Sequence, residues 1–114
     1  MGSGIYTNNC TLVFAGNNTF RDNSANKYGG GIFAVNSTLN LTEYSTFIDN
    51  SARIGGAIHA VNSTVNVTGE STFRNNSARI NGGGMKFLNS IVTFDGNNTF
   101  RNNSSQQNVS ELHW

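Results

Sequence analysis

Carboxylates are the first residues to consider for chemistry, because hydrolysis of a polysaccharide needs two of them close together. The 114-residue chain has six acidic side chains, and Asp22 and Asp49 share one position of a recurring motif. Asn75 and Asn102 hold that position in later copies, so an amide serves there as well as an acid. This exchange favours a structural role, and we predict no catalytic residue and no enzymatic activity.

Histidine and cysteine give no stronger case for a metal centre or a nucleophile. His59 has no second histidine or cysteine at ligand spacing, so neither a metal nor another cofactor is expected. It should lie on a strand surface, in an outward column that could contact a sugar or a protein. The other members of this column are Tyr6, Phe33 and Lys86. The single cysteine, Cys10, stands where later copies have serine, so we expect a small packed side chain there.

Asparagine is the most frequent polar residue, and eleven of the asparagines begin an N-x-Ser/Thr sequon. Two of the best candidates for N-glycosylation lie in "GNNT" turns and two at mid-strand positions. They are Asn17, Asn97, Asn40 and Asn66. A second interpretation stays open, in which these asparagines build corners of the fold and carry no glycan.

Composition excludes several classes of protein. A formal charge of +1 gives no electrostatic basis for binding nucleic acid or an anionic membrane. No apolar run is long enough for a membrane-spanning helix. Charged residues make up only 11% of the chain, and amides and hydroxyls take their place. Such a composition is also typical of disordered tracts, but a fixed repeat argues against disorder.

Four phenylalanines define that repeat. Each lies fifteen residues after an apolar partner, and only the stretch from a phenylalanine to the next partner varies in length. The pairs are Ile5 with Phe20, Ile32 with Phe47, Ile58 with Phe73, and Met85 with Phe100. The copies run over about 1–27, 28–54, 55–80 and 81–107. Self-similarity at this period indicates a stacked array.

Alternation within each copy indicates strands. Apolar residues alternate with threonine and asparagine, as in "STLNLT" and "STVNVT", and Gly, Asn and Ser bound the runs. We therefore predict an all-β parallel β-helix (a β-solenoid) over 1–107, with about four coils of 26–27 residues and three short strands each. Residues 108–114 would form a tail or a partial cap.

Stacking of such coils places like residues above one another at strand spacing. The four phenylalanines should form one internal column and their apolar partners a second. Two asparagine columns should lie at corners, where stacked amides can bond to one another. The first column is Asn9, Asn36, Asn62 and Asn89. The second is Asn23, Asn50, Asn76 and Asn103.

Two short motifs carry a family resemblance. The sequence "GGAI" at 55–58 resembles the GGA[ILV] motif of polymorphic outer membrane proteins. The sequences "FRDN" at 20–23, "FIDN" at 47–50 and "FRNN" at 73–76 and 100–103 resemble their FxxN motif. These proteins are bacterial autotransporter-type adhesins with a β-helical passenger. The resemblance implies a non-enzymatic structural protein, extracellular or on the cell surface, that works in adhesion or as a filament component.

Partners and alternatives follow from the same pattern. Apolar columns that continue to the ends of the array predict either end-to-end stacking of copies or a cell-surface or glycan partner. A second interpretation of the ends stays open, in which the chain is a fragment and further coils cap the array. A second hypothesis is a carbohydrate-binding or carbohydrate-active β-helix. A third is an ice-binding face, since Thr38/Asn40/Thr42 would lie over Thr64/Asn66/Thr68, but the neighbouring rows break this array.

Overall fold

A computed structural model describes residues 4–81 and 84–105, which form three complete turns of a β-solenoid and most of a fourth. Coil one contains β1 (Ile5–Asn8), β2 (Thr11–Phe14) and β3 (Asn17–Arg21). Coil two contains β4 (Ile32–Val35), β5 (Thr38–Leu41), β6 (Tyr44–Ile48) and β7 (Ser51–Ile54). Coil three contains β8 (Ile58–Val61), β9 (Thr64–Val67), β10 (Glu70–Arg74) and β11 (Ser77–Asn81). Coil four contains β12 (Met85–Leu88), β13 (Ile91–Phe94), β14 (Asn98–Arg101) and β15 (Ser104–Ser105).

These strands stack into four parallel sheets. Sheet 1 has the order β1-β4-β8-β12, sheet 2 β2-β5-β9-β13, sheet 3 β3-β6-β10-β14, and sheet 4 β7-β11-β15. Parallel pairing joins equivalent residues of successive coils, such as Ile32 with Ile58 and Phe47 with Phe73. The predicted β-solenoid is therefore confirmed. Residues 108–114, predicted as a tail or partial cap, lie outside the described residues.

Coil one has the three predicted strands, and coils two to four each have a fourth strand that was not predicted. Sheet 4 lies in the stretch whose length varies between copies and which therefore resembles a loop. Its strands are short, and only small side chains such as Ala52 and Ala78 point into the core. The difference in length is absorbed by an irregularity in the pairing of β7 with β11, between Ala78 and Asn81.

The core is a set of columns that run through the coils. Ile32, Ile58 and Met85 are fully buried in one of them. The phenylalanine column is a continuous stack, with ring centroids 4.6 Å apart for Phe20 and Phe47 and 4.8 Å apart for Phe47 and Phe73. The rings are nearly parallel, at 4°. Burial of this shared apolar surface is what holds successive coils together.

A column of buried asparagine amides runs beside the phenylalanines, as predicted. The Asn50 side chain donates to Asn76 Oδ1 at 3.0 Å, and Asn76 donates to Asn103 Oδ1 at 2.9 Å. Each amide also donates to the coil before it, as Asn76 does to the Phe47 carbonyl at 3.0 Å. We call this column, which begins at Asn23, the Asn ladder. It satisfies polar groups that would otherwise be costly to bury.

The other corner is built differently from the prediction. Asn9, Asn36, Asn62 and Asn89 adopt positive φ angles of 51° to 59°, a conformation that asparagine tolerates. Their side chains face solvent, and the bonds between coils come from the serines that follow. Ser63 Oγ accepts from the Ser37 N–H at 3.0 Å and donates to the Val61 carbonyl at 2.8 Å.

Glycine at two positive-φ positions gives a first prediction. A Cβ at Gly55 (φ 70°) would lie 2.6 Å from the Ile58 carbonyl oxygen, whereas one at Gly16 (φ 82°) would meet nothing within 4 Å. Gly16→Ala should cost about 1–2 kcal/mol from backbone strain alone. Gly55→Ala should cost clearly more, because a steric clash is added. Urea unfolding of both variants measures the difference, and equal losses would contradict the tight corner at Gly55.

Candidate functional site

The mixed aromatic and basic column of sheet 1 is the most distinctive surface of the molecule. Register pairing places Tyr6, Phe33, His59 and Lys86 next to one another on β1, β4, β8 and β12, as the sequence predicts. The expectation that His59 is an ordinary surface residue is wrong, because only 5% of it is exposed. The sequence gives no direct signal of what covers it.

Tyr28 is the residue that covers His59. It lies in the segment before β4, and its ring stacks on His59 with centroids 4.9 Å apart and planes 18° apart. Phe33 lies 5.0 Å from Tyr28 and 5.5 Å from His59, so the three rings contact one another. Tyr6 extends the cluster, 5.2 Å from Phe33.

A groove of about 400 Å³ lies beside this aromatic cluster. Its lining is mostly apolar and includes Tyr28, Phe33, Val61 and Leu88, with Lys86 as the charged side chain among the lining residues. We call it the sheet-1 groove. Leu88 is 49% exposed and Tyr28 37% exposed, both high for large apolar side chains. Its volume lies within the range of small-molecule sites in proteins, but the groove is wide open to solvent.

Burial sets the charge of His59. Removal from water, with a smaller contribution from the nearby Lys86 cation, lowers the pKa of His59 from 6.5 to about 4. The imidazole is therefore neutral at physiological pH. Its Nδ1 atom is buried and has no hydrogen-bond partner within the part of the chain that the structure describes.

The low pKa of His59 predicts a loss of stability in mild acid. Above pH 6.5 the imidazole is neutral in both folded and unfolded chains, so its contribution is complete. As the pH falls from 6.5 towards 4, the unfolded chain takes up a proton that the folded chain does not. The free energy of unfolding should then fall by at most about 1.4 kcal/mol per pH unit.

His59→Phe is the matched control for this effect, because Phe33 fills the same position one coil earlier. Urea midpoints for both proteins between pH 7 and pH 4.5 should diverge, with the natural chain losing more. Parallel curves would contradict a neutral, buried His59.

The predicted sequons take different positions. Asn17 and Asn97 are exposed beside the positive-φ glycines 16 and 96. Asn40 and Asn66 are half-buried on the outer face of sheet 2, where Asn66 Nδ2 donates to Asn40 Oδ1 at 2.8 Å. Asn103, by contrast, has both polar atoms engaged in the Asn ladder.

Glycosylation of these sites stays a prediction. If the chain is secreted through a eukaryotic pathway, we expect glycans at Asn17 and Asn97 most fully, since the Asn40–Asn66 pair must lose part of its contact to admit one. Peptide mapping of secreted material measures occupancy at each site. Four unmodified asparagines would contradict the prediction.

Cys10 is not packed as the sequence analysis expected. Its thiol is exposed, and Cys10 does what the serines do in later coils: its N–H donates to Ser37 Oγ at 3.2 Å, and its Sγ donates to the Asn8 carbonyl at 3.3 Å. Cys10 thus takes the place that a serine occupies at this corner in later coils. The exposure follows from its place in coil one, at the edge of the described stack.

The acidic residues that the structure describes occupy corners and strand ends. Asp22 and Asp49 have φ angles of 57° and 58°, and Asn75 and Asn102 have the same conformation in later coils. Backbone geometry thus explains why acid and amide exchange there. Within residues 4–81 and 84–105, no group of three or more His, Cys, Asp and Glu side chains could hold a metal ion. No helix among these residues is long and apolar enough to cross a membrane.

The threonine rows of sheet 2 are in register, as the ice-binding alternative requires, since Thr38 pairs with Thr64 and Asn40 with Asn66. The row that follows breaks the pattern, because Ile91 pairs with Thr64 and is 68% exposed. The regular array is thus two rows.

Comparison with known families fits the architecture. The model of the Chlamydia polymorphic membrane protein repeat matches residues 19–35 and 44–61. The searches of curated proteins and of solved structures gave no match. Each matched segment runs from a phenylalanine strand of sheet 3 to the following strand of sheet 1. Each therefore contains one phenylalanine of the stack and one asparagine of the Asn ladder. The chain is a parallel β-solenoid in which two segments are similar to the polymorphic membrane protein repeat.

Proposed function

We propose that this chain is a non-enzymatic structural segment of a cell-surface protein, acting in adhesion or as a filament component. The observation that carries the proposal is where the family match falls. The matched residues include the stacked pair Phe20 and Phe47 and the first two asparagines of the Asn ladder, which make the coil rather than a reaction centre. A surface location is in keeping with the polymorphic membrane protein type.

Surface display is tested by labelling intact source cells with an antibody raised against the chain, before and after permeabilisation. We expect label on intact cells. Label that depends on permeabilisation would overturn the proposal. For adhesion, beads coated with the chain are allowed to settle on epithelial monolayers, with beads coated with unfolded chain as the control. Equal binding of both kinds of bead would contradict an adhesive role.

End-to-end stacking is the finer form of this proposal. Each coil presents the same phenylalanine and amide positions to the next, and the bonds from one ladder asparagine to another all point one way along the axis. A coil from a second copy could continue both columns in register. The contact would be head to tail and would not close, so it would grow a filament.

Sedimentation velocity over a wide concentration range tests this association. Leu12→Lys places a charge on the half-buried inner face of the edge strand β2, and Val13→Lys places one on its exposed outer face. We expect association in the natural chain and in the Val13 variant, and its loss in the Leu12 variant. A monomer at every concentration would exclude stacking.

Carbohydrate binding is the second candidate, and the aromatic cluster around Phe33 is the observation that favours it. Exposed aromatic rings can pack on sugar faces. A glycan array probed with the labelled chain tests this alternative, with a Tyr6→Ser variant as the control. A thermal-hysteresis measurement likewise tests the ice-binding alternative on sheet 2.

A further inference from the structure

We propose that the outer face of sheet 4, with the sheet-3 strand ends that lead into it, binds a linear sulfated polysaccharide. We call this surface the basic face, and it includes the segment of coil one that pairs with β7. Its cations are Arg21, Lys27, Arg53, Arg74, Arg79 and Arg101. The inference rests on the adhesive role proposed above and adds the class of ligand. Polysaccharide binding is measured on the isolated chain, so it can fail while display at the cell surface stands, and the reverse also holds.

The charges of the chain are segregated, although they nearly cancel. Of the seven lysine and arginine side chains, only Lys86 lies on sheet 1, and the other six are exposed on the basic face. Arg74 and Arg101 end β10 and β14 and pair in register, so they lie one above the other on the outer face of sheet 3. A formal charge of +1 thus conceals a surface on which cations predominate. Such a surface attracts a polyanion.

The acidic side chains determine where on this face an anion is held best. Three of them lie between sheets 2 and 3, at the other end of the sheet-3 strands. These are Glu43, Glu70 and Asp95. Asp22 and Asp49 lie at the corner where sheet 3 leads into sheet 4, so they offset part of the positive charge in coils one and two. At this corner coils three and four have the neutral amides of Asn75 and Asn102, so the anion should lie mainly over these two coils.

A polar groove of about 230 Å³ runs along sheet 4 within the basic face. Four serines line it and are stacked in register over the coils. They are Ser24, Ser51, Ser77 and Ser104. Arg79 also lines the groove, and its Nη2 donates to the Asn26 carbonyl oxygen at 2.9 Å. Because that acceptor is a neutral carbonyl, the bond orients the guanidinium and leaves its positive charge in place.

The chemistry of the lining favours a sulfated polysaccharide over other polyanions. Serine hydroxyls donate to and accept from sugar hydroxyls, and guanidinium groups bind oxyanions through several N–H groups. Among the described residues that line the groove, none is aromatic, whereas single-stranded nucleic acid is held largely by stacking of its bases on aromatic rings. The serines and the Arg74–Arg101 pair repeat from coil to coil. A linear ligand would therefore lie along the axis on which the coils stack.

The test measures binding of the full chain to immobilised heparin by surface plasmon resonance. Hyaluronan, which has carboxylates and no sulfate, neutral dextran and oligothymidylate are the further probes. We expect the tightest binding for heparin, and a lower affinity as the NaCl concentration rises, because salt screens exposed charges. Tighter binding of oligothymidylate than of heparin would overturn the proposal in favour of nucleic acid. Equal binding of hyaluronan or dextran would overturn the role of sulfate.

Variants that remove a cation locate the site. Arg74→Gln and Arg101→Gln should each weaken heparin binding about threefold, because each removes one exposed charge from the basic face. Lys86→Gln is the matched control, since it removes the same charge from sheet 1, and it should leave heparin binding unchanged.

Asp49→Asn is the sharpest variant, because it should raise the affinity and a folding defect cannot imitate a gain. Asn75 has the same φ angle of 58° at the equivalent corner, so the fold accommodates the amide. We expect about threefold tighter binding of heparin. Glu70→Gln removes an acid from the other end of the sheet-3 strands and is the control. Absence of heparin binding, or basic-face variants that behave as their controls do, would overturn the proposal.

Discussion

Truncation of Phe73 to alanine should lower the free energy of unfolding by about 3–5 kcal/mol. The ring is fully buried and stacks between Phe47 and Phe100, at 4.8 Å from each. Its removal leaves a cavity in the middle of the column, and neighbouring coils cannot close it without breaking their backbone register. Urea unfolding followed by circular dichroism measures the loss.

Thr72→Ala in the same strand is the control for Phe73, since Thr72 points to the outer face. It should change stability by less than about 0.5 kcal/mol. If Phe73→Ala cost no more than Thr72→Ala, the phenylalanine stack could not be what holds the coils together.

Replacement of Asn76 by leucine should have an effect of similar size, about 3 kcal/mol or more, because several buried polar groups lose their partner at once. The Asn50 N–H and side-chain amide both donate to Asn76 Oδ1, each at 3.0 Å. In turn, the Phe47 carbonyl of coil two and Asn103 Oδ1 of coil four lose the donor that Asn76 supplies. Leucine is close in size, so the loss reports hydrogen bonding more than packing.

Two further variants make the Asn76 result specific. Asn76→Asp keeps an acceptor but removes the donor, so it should also destabilise the chain at pH 7. Asn62→Gly should be nearly neutral, because Asn62 is an exposed corner residue with a φ of 51° that glycine adopts readily. Similar losses for Asn62→Gly and Asn76→Leu would contradict a special role for the buried ladder.

Much of the fold could be predicted from the sequence because each coil must match the coils above and below it. Equivalent residues must stack, so the spacing from Ile32 to Phe47 repeats without change from Ile58 to Phe73. A buried Asn column also leaves a clear trace, since every copy keeps the asparagine three residues after its phenylalanine.

Features that do not repeat were harder to predict. Tyr28 lies in the stretch of variable length and in one copy only, so its position over His59 depends on tertiary packing. Sheet 4 escaped prediction because its strands contribute small side chains such as Ala52 to the core. At the corner that contains Asn62, the sequence does not show that a positive φ angle turns the asparagine side chain outward. The hydrogen bonds between coils at this corner are made by Ser63 instead.

The direction of the hydrogen bonds between coils has a mechanical consequence. In every sheet they join one coil to the next and so lie along the axis on which the coils stack. When the two ends of the chain are pulled apart, the force therefore acts on the hydrogen bonds of one coil at a time. It does not act on all the hydrogen bonds of a sheet at once. Each coil that detaches frees 26 or 27 residues, or about 90 Å of extended chain. A surface protein built from such coils would therefore unfold one coil at a time under tension. Each coil would lengthen from about 4.8 Å along the axis to about 90 Å of extended chain.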